Sequence, residues 1–317
     1  MEEVFKVSTT EPSDATPKKP WYKRARYVIP LAIVIVLLVV SLVPVLPTYV
    51  SPDQKSLNKA VGYFAKYYDV KTGLIPSTPN GTTYFLYSDN YLASVALQRY
   101  STTNSSTLDF SEAVYAALSG YASTLPPSLL RSSYTTLNST YSYFGCTSNY
   151  TIGWRTSNGT SIPIRGADDI ETVSISPVAG SCASENYADL LFLQAIYYYK
   201  QGNTTVSSQY YNRAVEDFDG MGLADLAFTL KNSTSYGVYQ TSNLALYVYA
   251  DACMAKSNTD PNFPFLNSTL VHMQDPATGG FFAGYDSDLQ HVTGVTTQAT
   301  ALASLALEEI VSPSIGC

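Results

Sequence analysis

Between residues 56 and 311 the apolar positions fall into two alternating kinds of segment. In the first they recur every three or four residues on a polar background: Ala60, Val61, Phe64 and Tyr67 within 56–68, then Phe110, Val114, Leu118 and Tyr121 within 109–123, with similar stripes within 207–218 and 262–273. That spacing predicts amphipathic helices with one wet face. In the second kind, at 89–100, 185–200, 243–256 and 296–311, apolar residues occupy nearly every helix face. A helix apolar on all faces is buried all round. Alternation of the two predicts paired helices in two concentric layers, a mainly α fold of helical hairpins forming an α/α toroid, complete or incomplete. A short helical piece is expected over 223–229. Residues 126–183 break the pattern: after a short helix over 127–137, the stretch 141–177 is rich in Tyr, Thr, Ile and Val, with turns at Asn158-Gly159 and Arg165-Gly166. It reads as a β insertion over about 140–180, a hairpin or long structured loop.

The helices are preceded by recurring turns. Asp69-Val70-Lys71-Thr72-Gly73-Leu74 leads to Leu92-Ala93-Ser94-Val95-Ala96-Leu97, and Asp275-Pro276-Ala277-Thr278-Gly279-Gly280 leads to Leu302-Ala303-Ser304-Leu305-Ala306-Leu307. Ser184-Glu185-Asn186-Tyr187 copies the helix start Ser88-Asp89-Asn90-Tyr91, and a fainter copy runs from Asp219-Gly220-Met221-Gly222-Leu223 to Ser242-Asn243-Leu244. One repeated unit of turn, loop and buried helix accounts for all of these, each unit burying its apolar face only against its neighbours.

Upstream, Tyr27–Val50 holds 24 residues without a charge. At about 1.5 Å per residue it is long enough to cross a bilayer core of about 30 Å. Lys18, Lys19, Lys23, Arg24 and Arg26 precede it, so residues 1–26 are expected to be a cytosolic tail and 27–50 an uncleaved transmembrane signal-anchor helix, leaving 51–317 as the extracellular domain. Eight Asn-x-Ser/Thr acceptors are present, Asn80, Asn104, Asn138, Asn149, Asn158, Asn203, Asn232 and Asn267; most lie between the apolar helices and none within one, as expected of an exported glycoprotein. Cys146, Cys182, Cys253 and Cys317 are all in this part, where disulfides persist. Three pairings are possible; Cys146 with Cys182 would close the irregular region and leave Cys253 for Cys317.

Removing the six cations and four anions of residues 1–50 leaves 12 Lys plus Arg against 21 Asp plus Glu, a net charge of −9. Nucleic acid is therefore not an expected partner. Sparse ion pairs also leave little stability to lose when carboxylates protonate, which suits an acidic exterior.

The Asp-x-x-Thr-Gly-Leu/Gly turns leading to helices that begin Ser-Asp/Glu-Asn-Tyr resemble the six-hairpin glycosidases and related α/α-toroid hydrolases and lyases, over roughly residues 53–311. The resemblance implies that the inner helices bring their N-termini to one mouth. Asp89 and Glu185, at matching starts, are then the candidate catalytic carboxylates, because glycoside hydrolysis uses a pair about 5 to 10 Å apart. The plain alternative is helix N-capping, since acidic groups suit the positive helix end.

Asn90, Asn186, Gln240, Asn243 and Gln298 would ring the same mouth, with Trp154, Arg165 and Tyr285 on covering loops. Amides and aromatics suit neutral sugars. No cofactor is implied. Acidic clusters at Asp168, Asp169 and Glu171, at Asp217 and Asp219, and at Asp286 and Asp288 offer oxygen ligands for Ca²⁺, with solvated loops as the simpler reading. No metal site is expected from His272 and His291, and no His-Glu-x-x-His, Gly-x-Ser-x-Gly or Walker loop is present. Two function classes follow. One is a membrane-tethered hydrolase acting on glycans; the other is a non-catalytic envelope or surface-assembly protein that binds glycans or other surface components. An open mouth with convergent carboxylates favours the first, a mouth filled with Tyr and Leu the second.

Overall fold

The chain divides at Val50 and Ser51 into two units. The computed structural model describes residues 50–70, 72–79, 85, 87–103, 108–122, 149–154, 156–157, 160–161, 173–178, 186–231 and 236–313. The apolar run 27–50, apart from Val50, lies outside them, as do Cys146, Cys182 and Cys317. Among the described residues no helix is long and apolar enough to cross a membrane.

The fold is mainly helical. Helix α1, Pro52–Tyr67, starts under the Ser51 hydroxyl, which accepts from the Gln54 N–H at 3.1 Å, with Pro52 in the first turn where its missing N–H costs nothing. Helices α2 (Tyr87–Thr103) and α3 (Leu108–Ala122) follow. Strands β1 (Asn149–Trp154) and β4 (Val173–Val178) pair antiparallel, and β2 (Thr156–Ser157) with β3 (Thr160–Ser161), so the expected β insertion is present. Then come α4 (Ala188–Lys200), α5 (Thr204–Val215), the single turn α6 (Leu226–Thr229), β5 (Tyr239–Gln240), α7 (Thr241–Cys253) and α8 (Phe263–His272). Strands β6 (Phe281–Phe282), β7 (Gly284–Tyr285) and β8 (Val295–Thr296) lead into α9, Thr297–Val311. The short helix expected over 127–137 and the turns at Asn158-Gly159 and Arg165-Gly166 lie outside the described residues.

The two kinds of helix separate as their sequences require. Eleven of the 13 residues of α7 and 12 of the 15 of α9 are buried, whereas α5 buries only Ser207, Tyr211 and Ala214, and α8 only Leu266, Thr269 and Leu270. The inner helices pack side by side in the order α4, α7, α9, α2; α5 covers α4, α8 covers α7, α1 covers α9 and α3 covers α2. The last inner helix thus meets the first hairpin.

The turn repeat carries the same backbone bonds in both copies. In the first copy Asp69 N–H donates to the Leu74 carbonyl and Gly73 N–H to the Asp69 carbonyl, both at 2.8 Å; in the last copy Asp275 N–H reaches the Gly280 carbonyl and Gly279 N–H the Asp275 carbonyl, again both at 2.8 Å. Thr72 and Thr278 hydroxyls each accept at 3.3 Å from the N–H two residues on. Gly73 and Gly279 hold φ of 71° and 82°, and a Cβ on Gly279 would lie 2.5 Å from the Lys59 carbonyl oxygen, so the second copy demands glycine twice over. From these turns the chain is tied to the helix starts. Asn90 exchanges two hydrogen bonds with the Ile75 backbone (2.7 and 2.8 Å), and Thr300, also the fourth residue of its helix, accepts from Phe281 N–H at 2.9 Å.

Cys253 is disulfide-bonded. Of the sequons, Asn203 caps α5 through its side-chain oxygen and is exposed. Asn267 lies within α8 and its amide nitrogen, the atom a glycan would take, already donates to Asp53 at 3.2 Å.

Candidate functional site

A partly open cavity of about 420 Å³, part of it continuous with solvent, lies at the N-terminal ends of the inner helices. Leu92, Leu193, Leu246 and Leu302 form its floor, and each is the sixth residue of its helix, in α2, α4, α7 and α9 respectively. Asp189, Ser242 and Gln298, each the second residue of its helix, stand one turn above, with Gln240 beside them at the N-cap of α7. Residues four apart share a helix face, so one rule, polar at the second position and leucine at the sixth, builds the cavity three times over. The two-stranded pairs β5–β7 and β6–β8 hold the starts of α7 and α9 against one loop. The α9 start is fixed further by Thr297, whose N–H donates to the Ser77 carbonyl at 2.9 Å and whose hydroxyl donates to Pro76 at 2.6 Å.

This frame corrects the expected register. Leu92 and Leu302 match as expected, and so do Ser88 and Ser242. The copy at Ser184-Glu185-Asn186-Tyr187 does not, because α4 begins only at Ala188, making Asp189 rather than Ser184 the counterpart of position 242. Glu185 lies outside the described residues. Asp89, the third residue of α2, is 2% exposed and absent from the cavity wall, so it is not presented to the mouth.

Among the expected amides only Gln240 and Gln298 line the cavity. Asn90 braces Ile75, Asn243 donates to Asp225 at 3.2 Å, and Asn186 precedes α4 without reaching the wall. Tyr285, expected on a covering loop, is fully buried, and its hydroxyl donates to the Met221 carbonyl at 3.2 Å. Trp154 falls in β1 and Arg165 outside the described residues. Of the acidic loops, Asp219 accepts from Met221, Gly222 and Tyr239, and Asp286 from Asp288 and Gln290, while Asp217 lies 3.8 Å from Arg213. Among the described residues no cluster of His, Cys, Asp and Glu is arranged to hold a metal ion.

The carboxylate that does reach the cavity, Asp189, was not singled out by the sequence reading. Its signal was available, since it precedes Leu193 by four residues as Ser242 precedes Leu246, but the more conspicuous Ser-x-Asn-Tyr copy masked it. Asp189 stays partly exposed at the wall though closely surrounded, and among the described residues it accepts from the adjacent Leu190 N–H at 2.8 Å. Burial, aided by the neighbouring Asp225 charge, pushes it up to about 6. Asp225 plays a different part. Its carboxylate accepts from Ala188 N–H (3.1 Å), Ala227 N–H, Phe228 N–H and Asn243, stapling the start of α4 to α6 and α7. Burial raises it against those four donors.

Two further acidic groups are raised at the other end of the inner helices. Tyr211 hydroxyl bonds both Asp251 and Asp260, and Tyr247 hydroxyl donates to Asp260 at 2.7 Å. A hydroxyl has one hydrogen to give, so one of the two carboxyls must carry its own. Asp251, fully buried and pushed up to about 7 chiefly by burial, is the better holder of that proton. Nearby, Arg99 pairs with Glu309 at 3.3 Å and lies over the Tyr249 ring at 5.5 Å. Glu308 is 3% exposed with neither oxygen hydrogen-bonded, and burial pushes it up to about 8.

No protein-family model matches the chain, and no curated protein matches its sequence.

Proposed function

We propose that the protein is a membrane-anchored cell-surface glycoprotein whose extracellular domain is an incomplete α/α toroid, and that the toroid mouth binds glycans without cleaving them. The anchor rests on the uncharged run 27–50 and the cations before it, and the extracellular placement on the sequons and cysteines. The side-by-side inner helices with one outer helix behind each support the toroid. The observation that carries the binding function is the composition of the cavity: two glutamines and a serine above a leucine floor, with Asp189 the one carboxylate among its described lining residues. Amide and hydroxyl groups on a rigid frame hold a neutral sugar, whereas glycosidic hydrolysis requires two carboxylates flanking the bond.

A hydrolase is the second reading, favoured by Asp189 alone, whose raised carboxyl would be partly protonated at pH 6 and so able to act as a general acid. Full-length protein in detergent micelles, incubated with a panel of neutral oligosaccharides, separates the two. Retention of a sugar with no new reducing ends, weakened by Gln298→Ala, supports binding. Release of reducing ends that Asp189→Asn abolishes overturns it in favour of hydrolysis.

A further inference from the structure

Resting on the reading of the mouth as a glycan site, we infer that it selects an uncharged sugar bearing a methyl group, a 6-deoxy or N-acetyl sugar, whose methyl sits on the four-leucine floor. The floor gives no hydrogen bond, its four leucines being apolar and between 1% and 5% exposed, so a group seated on it exchanges contacts with water for apolar contacts. A hydroxymethyl placed there would lose its partners in water and find none in protein, while a methyl group gains by burial. The leucines also lack the flat aromatic face on which an unsubstituted sugar ring stacks. Above them Gln240, Ser242, Gln298 and Asp189 supply donors and acceptors for ring hydroxyls, fixing the sugar with its methyl inward.

The lining also argues against an anionic sugar. No cation lines the cavity among the described residues, and Asp189 and Asp225 stand on one side of it. Positive helix ends would normally draw an anion. Here the first N–H of three of the helices is already taken, Ala188 by Asp225, Thr241 by the Ala283 carbonyl and Thr297 by the Ser77 carbonyl, and Ala299 is held by the Thr296 hydroxyl.

Matched pairs differing at one group test this on full-length protein in detergent micelles at pH 5.5: 6-deoxy-D-galactose against D-galactose, and N-acetyl-D-glucosamine against D-glucose. The expected result is at least about ten-fold tighter binding of one methyl-bearing member over its partner, the discrimination a single apolar group supplies in a fitted pocket. Saturation transfer from the protein should be strongest at that methyl, and Leu246→Asn should erase the preference. Equal affinity within both pairs, with Gln298→Ala weakening all, overturns the methyl-selective floor while leaving the glycan-binding mouth intact. If none of the four sugars binds wild-type protein, the inference and the reading beneath it both fall. The saturation-transfer pattern is read on wild-type protein, so the test stands even if Leu246→Asn does not fold.

Discussion

Both ends of the inner helices hold acidic groups raised by burial, yet only one end can serve a ligand. At the N-terminal mouth Asp189 faces a cavity with two glutamines and a serine around it. At the opposite end Asp251 faces Tyr211 and, through it, Asp260, while Glu308 lies in the core beside the Arg99–Glu309 pair. All three carboxyls are raised by the same cause, burial. A raised carboxyl is thus no mark of a site by itself; what distinguishes Asp189 is empty, polar-rimmed space in front of it.

The largest way to sharpen the contrast is pH. A carboxyl whose folded value lies above its unfolded value near 4 contributes stability fully below pH 4 and loses it as pH rises through the folded value. Asp189, Asp251 and Glu308, at about 6, 7 and 8, therefore make the folded domain less stable between pH 5 and pH 9. Asp219, Asp260 and Asp275, held low by hydrogen bonds that outweigh burial, act oppositely and lose their contribution below about pH 4. Stability should peak near pH 4 to 5 and fall by several kcal/mol by pH 9, each unit by which a folded value exceeds the unfolded one counting about 1.4 kcal/mol. Thermal unfolding should show that as a clearly lower midpoint at pH 9 than at pH 5.

Arg99→Leu comes next. It strips the partner from Glu309, which is 4% exposed, and should cost about 2 kcal/mol in denaturant unfolding at pH 7, below the loss expected of a fully buried pair because Arg99 keeps some solvent contact. Glu308→Leu should do the reverse, adding about 1 kcal/mol at pH 9, where the native residue must ionise without a partner, and almost nothing at pH 5. Smallest of all, Gln298→Ala at the exposed rim should change stability by less than about 0.5 kcal/mol while weakening sugar binding. A stability loss there as large as that of Arg99→Leu would erase the difference between the ends.

Much of this architecture was legible. The helices buried all round and those with one wet face could be read because burial imposes its period on the residues themselves, as α7 and α5 illustrate. The Asp69 and Asp275 turns could be matched because Thr and Gly at fixed offsets form the same bonds in both. Register at α4 could not. Ser184-Glu185-Asn186-Tyr187 is similar in letters to Ser88-Asp89-Asn90-Tyr91, but helix starts are set by tertiary contacts, here Asp225 accepting from Ala188 N–H across 37 residues. A five-residue displacement was enough to hide Asp189 and promote Glu185. Asp89 and Asn243 were likewise legible as polar residues near a helix start, but their burial was not, since inward and outward positions on an all-apolar helix carry no periodic signal. The Tyr211, Asp251 and Asp260 cluster joins residues up to 49 apart, and nothing local marks it.

The difference between the ends is tested most directly by carbodiimide labelling of full-length protein at pH 5.5, followed by peptide mapping. The reagent attacks carboxyls it can reach, favouring the protonated form. Asp189 should be modified well before Asp251 and Glu308, and a bound sugar should slow its modification alone. Labelling of Asp251 or Glu308 as fast as Asp189, or an Asp189 that stays protected without ligand, would contradict the assignment of the mouth as the binding end.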